Sequence, residues 1–435
     1  MIKRWMVVII SSSQVVKCIL WSATADCDLH SKIKKNRSGR NLMTEHSLSM
    51  DAALKKDEFQ AGQVMTLSGG HFIHDAYSAF LAPLLPLIIA KLSLSLTLAG
   101  SLMAYTQLPA IITPFIGHLS DKYNLRYLVI LAPGLVATVM SAIGLAPSYA
   151  FLAFLLLLAG IGSAAFHAPA PAMVAQVSGK RTGKGLSWFM AGGELARTVG
   201  PIVAVWAVST WTLEGMFRVV VVGWASSAIL FWRLRDIPVT VRTNGSLQTI
   251  LPKLRTLFLP VFIIAFFQMF MTVCMTTYLP TLMNLNGATL FMAGGSLAIL
   301  ELAGIAGALS GGTLSDRLGR KPLLMGITIL APLLMIAFLN VSGWLLVPVL
   351  LAYGFVSISA GPVFLALIQD NFPENRAVSN GLYISINFLL RSLVLVLVGM
   401  AGDAFGLQSA FLWSAVLSLF GLIGIVMLPA EMVKG

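Results

Sequence analysis

Charge is scarce in this 435-residue sequence: Asp, Glu, Lys and Arg make up only 11% of it, while 57% is hydrophobic. Soluble domains carry about 25% charge, so there is too little polar material here to solvate the outside of an ordinary globular fold. Cysteine is sparse as well. Cys18, Cys27 and Cys274 share no framework spacing, which excludes a disulfide scaffold and gives no zinc signature. Alternating strand patterns are absent, so a membrane barrel is excluded too. No soluble α/β segment is present to hold a nucleotide. The stretch SGKRTGKG, Ser178 to Gly185, lacks the Walker spacing and its closing Ser or Thr. Nor do a nucleophile, a base and an oxyanion donor come together in any pattern that suggests an enzyme.

What the chain does have is apolar blocks of about 20 residues from Val64 to Pro429, each the length of a bilayer crossing. Helices satisfy their own backbone in lipid, so the fold class expected is an all-α polytopic membrane protein. Twelve spans are predicted, at 65–90, 97–117, 127–146, 149–172, 186–209, 217–234, 258–283, 289–312, 322–341, 344–368, 379–401 and 408–429. They divide the chain into a tail (1–64), a first half of six helices (65–234), a central loop (235–257), a second half (258–430) and a short end (431–435).

The formal charge of +12 raises the question of a nucleic-acid partner, but its placement answers otherwise. Of 29 Lys and Arg, 25 fall in the tail, the even-numbered connections, the central loop and the carboxyl end; only Lys91 and Arg218 fall on the other side. The positive-inside rule then expects both termini in the cytoplasm and no nucleic acid. The tail, with its basic run SKIKKNRSGR, reads as a solvated segment near anionic lipid. The methionines at 43, 50 and 65 would also suit a later start.

Two stretches 195 residues apart repeat each other: GHLSDKYNLR from Gly117 and GTLSDRLGRK from Gly312. Both end an even-numbered span, as a duplicated six-helix half requires. Gly117 and Gly312 are expected to permit close helix approach, and Asp121 and Asp316 to face a helix amino terminus. With Lys122, Arg126, Arg317, Arg320 and Lys321 they form the expected gates.

Ionisable residues inside spans cost about 2.5–3.5 kcal/mol each and mark a pathway with partners. Asp75, Glu194, Arg197, Glu301 and Arg391 all fall near mid-span on four predicted helices. Glu194 and Arg197, at i and i+3, share a helix face. Burial makes a bare carboxylate costly, so Asp75, Glu194 and Glu301 are the candidate proton carriers. His74, His167, Arg197, Gln268 and Arg391 are candidate substrate contacts, the two arginines favouring an anionic or polar substrate. His71 reads as a satisfied polar residue. H-x-x-H-D at 71–75 lacks a third ligand, so no metal is expected. Gly192, Ala196, Gly200 and Pro201 form a small-residue packing stripe. Prolines 169, 171 and 362, with Gly361, mark expected bends.

The repeated loop resembles the signature of the major facilitator superfamily, its first copy departing at Asn124 and Leu125. HFIHD (His71 to Asp75), AAFHAPAPAMVAQVSG (Ala164 to Gly179) and WFMAGGELARTVGP (Trp188 to Pro201) resemble that superfamily's fosmidomycin resistance branch, whose members export a small phosphonate antibiotic. This sequence departs at Ala168 to Ala170 and in having Glu194 and Arg197. The resemblance implies twelve helices in two pseudo-symmetric halves and alternating access. It also implies a monomer in the bacterial inner membrane that exports a small toxic compound on the proton gradient without a cofactor. Uptake of a small organic anion with protons, and a non-transporting receptor or scaffold, are the alternative readings.

Overall fold

The computed structural model describes residues 58–123, 125–235, 257–372 and 376–428, without the side chains of 118, 120–122, 369, 376–378 and 380. Almost all of the tail, the central loop and the carboxyl end lie outside the described residues, as do the Asp121 and Lys122 side chains of the first gate. No strand occurs among the described residues.

Among the described residues, eleven helical stretches are long and apolar enough to cross a membrane: α1 Ala61–Leu92, α2 Leu96–Gly117, α3 Arg126–Leu145, α4 Tyr149–Val177, α5 Gly179–Leu234, α6 Leu259–Leu285, α7 Leu290–Leu318, α8 Arg320–Asn340, α9 Gly343–Ile368, α10 Gly381–Phe405 and α11 Leu407–Met427. Their starts follow local chemistry. Ser95, Ser148 and Thr289 each cap a helix by accepting the amide three residues on, at Leu98, Phe151 and Met292. The expected bends fall where proline interrupts the ladder. α4 breaks between His167 and Ala170, and α9 breaks at Ser359. In addition, α6 relaxes into a π-helical turn over Cys274–Tyr278, just ahead of Pro280, which has no amide hydrogen to donate back to Thr276.

Eleven stretches, rather than the expected twelve, stand apart because the predicted fifth and sixth spans are the two arms of α5. At 56 residues α5 would be about 84 Å long if straight, against the 30 Å or so of a bilayer core. It is broken at Thr212, which takes φ 67° and ψ 174°. The arms run back along α1 in opposite directions. Gly200 packs on Ala76 and Gly192 on Ser68 in the first arm, whereas the second arm places Leu230 against Gly70 and Val219 against Tyr77. Lys91 holds the reversal, donating to Glu214 at 2.7 Å and to the Gly144 carbonyl at 2.5 Å.

Two seams join the halves: α5 against α7, and α2 against α10. The repeat offset maps one seam onto the other. One end of the bundle carries the repeated loops, called here the loop end. At the opposite, far end the α2–α10 seam is closed. A Cβ on Gly100 would sit 2.3 Å from the Leu395 carbonyl, and one on Gly399 would sit 2.4 Å from the Leu96 carbonyl. The apolar core shows the same asymmetry. One buried cluster takes residues from both halves, including Tyr77, Leu102, Tyr278 and Leu395. Toward the loop end each half has a core of its own, around Phe166 and Phe189 in the first and around Phe258 and Phe364 in the second. The halves thus share one apolar core at the far end, while toward the loop end each keeps its own, with the last turns of α2 still against α10. Large apolar side chains such as Phe115, Val221, Trp232, Phe291 and Trp344 remain exposed, as a lipid-facing surface requires.

Candidate substrate and coupling site

Close packing of α5 on α1 sets up the first cluster. Gly192 and Gly200 lie so near α1 that a Cβ would come within 2.5 Å of the Ser68 and Ala76 carbonyl oxygens. The expected small-residue stripe is therefore a contact face, with Ala196 and Pro201 buried beside it. Gly193 leaves room for the His71 ring, whose Cε1 would lie 2.5 Å from a Cβ there. His71 stacks on Phe189, with ring centroids 4.0 Å apart, and its Nδ1 lies 2.7 Å from the Phe189 carbonyl. His74 is fully buried and stacks on Phe166 at 4.5 Å.

Three imidazoles converge on Asp75. His74 Nδ1 lies 2.8 Å from Oδ1, His71 Nε2 lies 3.2 Å from Oδ2, and His167 Nε2 lies 3.4 Å from Oδ1. His71, read from sequence as a bystander, is part of this group. His167 comes from α4 immediately before its break, so the bend that proline imposes also aims the ring.

A second cluster spans the halves. Arg197 pairs with Glu194 on its own helix and, at 3.7 Å, with Glu301 on α7. Glu301 is buried; Arg197 remains 43% exposed along its side chain. Arg391 on α10 donates to Thr276 at 2.8 Å and to Thr277 at 3.4 Å, both in the π-helical turn of α6. Electrostatic coupling links Arg391 to Glu301 and Arg197 to Asp75. The predicted mid-span charges thus form one connected group contributed by α1, α5, α7 and α10. Gln268 is placed elsewhere. Its amide donates to Thr328 Oγ1 at 2.8 Å, tying α6 to α8 within the second half.

At the second repeated loop, buried Arg320 donates to Asp370 from Nε at 2.8 Å, contacts Asp316 at 3.5 Å and reaches Ser315 at 3.2 Å. Asp316 therefore faces a guanidinium, not the bare helix terminus expected. Lys321 donates to the last carbonyls of α11, at Val426 and Leu428. Arg317 is exposed, and in the first copy Arg126 lies over the Tyr127 ring at 5.3 Å. Gly117 and Gly312 do not serve close approach here, since a Cβ on either would meet nothing within 4 Å. Gly304, Gly307 and Gly311 do that work instead, against α9. Arg320→Gln is expected to cost about 1–3 kcal/mol, toward the low end because Asp370 stays partly hydrated once bereft of its partner. A thermal melt of the purified protein would show it, and an unchanged midpoint would make the pair incidental.

Sequence reasoning also missed Asp403. At the far end its carboxylate accepts from the Leu96 and Thr97 amides at 2.7 and 2.8 Å and from the Thr97 hydroxyl at 2.5 Å. It thus binds the amino terminus of a helix from the other half. An acidic residue just past a predicted span was the available signal. Tyr278 lies beside it, its hydroxyl 3.1 Å from the Leu96 carbonyl and 2.9 Å from the Leu395 carbonyl.

Residues 67–395 match the family model described as Major Facilitator Superfamily. The chain is 24% identical over 387 residues to the fosmidomycin resistance protein of Escherichia coli (strain K12), covering 86% of this chain and 94% of that one. It is 27% identical over 284 residues to the multidrug resistance protein MdtG of Dickeya zeae (strain Ech586), covering 61% of this chain and 69% of that one. Among solved structures, a bacterial homolog of the human lysosomal transporter Spinster in an inward-facing conformation superposes with a TM-score of 0.68. It is 16% identical, with 85% of this chain and 95% of that one covered.

Proposed function

The chain belongs to the Major Facilitator Superfamily and is a multi-pass membrane transporter, and from that premise we propose that it is a proton-coupled antiporter exporting a small toxic compound by alternating access. The observation that carries this reading is Arg197, which answers a carboxylate on each side of the α5–α7 seam, Glu194 and Glu301. With both carboxylates ionised, the guanidinium holds the seam at mid-span. Protonating Glu301, or offering Arg197 an anionic substrate oxygen, removes the attraction that spans the halves and lets the seam rearrange, while protonating Glu194 frees Arg197 from its own helix. The substrate anion and the carboxylates therefore compete for one arginine, so the protonation of Glu194 and Glu301 sets when substrate is held and when it is released. Each proton crossing with the potential supplies about 2.3 kcal/mol per 100 mV.

The substrate class follows from the relatives' names, fosmidomycin resistance and multidrug resistance, together with the two guanidiniums deep in the group. The loop end is cytoplasmic by its basic residues, and the protein works as a monomer in the bacterial inner membrane.

Proteoliposomes carrying a pH gradient test the proposal with a panel of small anionic drugs that includes fosmidomycin. Substrate addition to the wild type should release protons against the direction of substrate movement. Glu194→Gln and Glu301→Gln should each lower that coupled flux at least about tenfold, as loss of an essential charge does. Unchanged flux in both variants would refute the assignment of the proton to this pair. Proton movement in the same direction as substrate would replace exchange by symport.

A further inference from the structure

The cluster around Asp75 obeys different chemistry from the arginine network. His71 Nδ1 lies 2.7 Å from a carbonyl oxygen, which can only accept, so Nδ1 carries the hydrogen. A neutral ring then presents a lone pair at Nε2, and Nε2 is 3.2 Å from Asp75 Oδ2, another acceptor. Two acceptors this close repel one another unless a cation lies between them. His74 cannot relieve the contact, because its Nδ1 serves the other oxygen. A histidine anchored on a backbone carbonyl by one nitrogen, with the other aimed at a shared point, is the usual arrangement of a metal ligand.

The distances fit such an ion. In a tetrahedral site with bonds of 2.0–2.1 Å, ligand atoms stand about 3.3 Å apart. His71 Nε2 lies 3.2 Å from Asp75 Oδ2 and His167 Nε2 lies 3.4 Å from Oδ1, so the carboxylate meets the two rings with different oxygens, and one ligand atom from each residue falls within 4.8 Å of the others. His71 and Asp75 are at i and i+4 on α1, and α4 supplies the third ligand that the sequence pattern lacked. His167, 37% exposed along its side chain, opens one side to entry.

We propose that His71, Asp75 and His167 bind one divalent transition-metal ion of the Zn2+ or Co2+ type, with His74 holding the carboxylate from behind. Two imidazole nitrogens and one carboxylate suit these ions better than Mg2+ or Ca2+, which prefer oxygen throughout. Three protein ligands leave the fourth coordination position to water.

The site uses other residues than the proton pair at Glu194 and Glu301, and the test separates the two. Full-length protein, purified without a polyhistidine tag, stripped with chelator and placed in nanodiscs, is titrated with Co2+ by visible absorption and then competed with Zn2+. One ion per chain with the strong absorption of four-coordinate Co2+ is expected. His167→Gln, at a partly exposed position that tolerates the change, should weaken binding at least about tenfold, and Asp75→Asn should do the same. Glu301→Gln should bind as the wild type does while losing coupled flux. Substoichiometric binding by the wild type, wild-type affinity in His167→Gln, or loss of the ion in Glu301→Gln would each overturn the site. The first of these would assign the cation between His71 and Asp75 to a proton.

Discussion

Arg197→Met is expected to abolish coupled transport and to lower the melting temperature by several degrees, and adding Glu301→Gln to it should recover much of the lost stability but none of the transport. Removing one partner of a buried ion pair costs about 3–5 kcal/mol, because the remaining charge stays buried and uncompensated. Arg197 is 43% exposed along its side chain, so water recovers part of that and about 2–3 kcal/mol is the better expectation. The penalty falls on Glu301, buried on α7, and on Glu194, 16% exposed along its side chain and paired with the same guanidinium, and the Glu301 share is the one that crosses the seam. Neutralising Glu301 removes that share of the penalty. That non-additivity is the signature to seek, since residues in one network couple while distant ones add. Melts in detergent supply the stabilities, and proteoliposome flux supplies the activity. Additive effects, or an Arg197→Met protein as stable as the wild type, would mean that the pair across the seam carries no energy.

Asp403→Ala should release the far end. Its carboxylate holds two amides and a hydroxyl at the start of α2, which leaves the Tyr278 hydroxyl on the Leu96 and Leu395 carbonyls as the polar contact beside it. Hydrogen bonds to a charged group are worth about 1.5–3 kcal/mol when shielded, but this carboxylate is wet, so the set together is worth about 1–3 kcal/mol. Each 1.4 kcal/mol is tenfold in population, which makes the state open at the far end about tenfold or more commoner. A cysteine at buried Leu395, in a background lacking Cys18, Cys27 and Cys274, reports that opening. A membrane-impermeant maleimide should label it about tenfold faster in the Asp403→Ala chain. Asp403→Asn, which keeps one acceptor oxygen, should fall between. Equal labelling rates in all three would show that apolar packing alone closes this end.

Several calls made from the sequence hold in the structure for identifiable reasons. The apolar blocks, the breaks near Pro169 and Gly361, and the contact stripe at Gly192 and Gly200 all depend on residues adjacent in the chain, so local spacing reveals them. Asp75, Glu194, Arg197, Glu301 and Arg391 were legible because charge in lipid is costly and stands out against an apolar background. Their partners were harder to see. Gln268 looked equally significant, yet it bonds Thr328 inside one half. Gly117 and Gly312 match the repeat, yet on α7 the tight contacts belong to Gly304, Gly307 and Gly311, whose shared face is turned away from Gly312 by about 100°. His71 was passed over because its role depends on the Phe189 carbonyl, 118 residues away. Asp403 was passed over because the amides it binds lie more than 300 residues earlier.

Composition and periodicity by themselves determined that this protein is a helical membrane bundle built from two related halves. In lipid the backbone has to satisfy its own hydrogen bonds, and only helices of a set length do so. They also determined which residues pay for being there. Only the tertiary structure decided which charges meet. Helices that place ionisable groups at one depth can pair in many ways. Here the glycine contacts bring α1 to α5 and α2 to α10, and so decide that Asp75 faces three histidines while Arg197 faces Glu301.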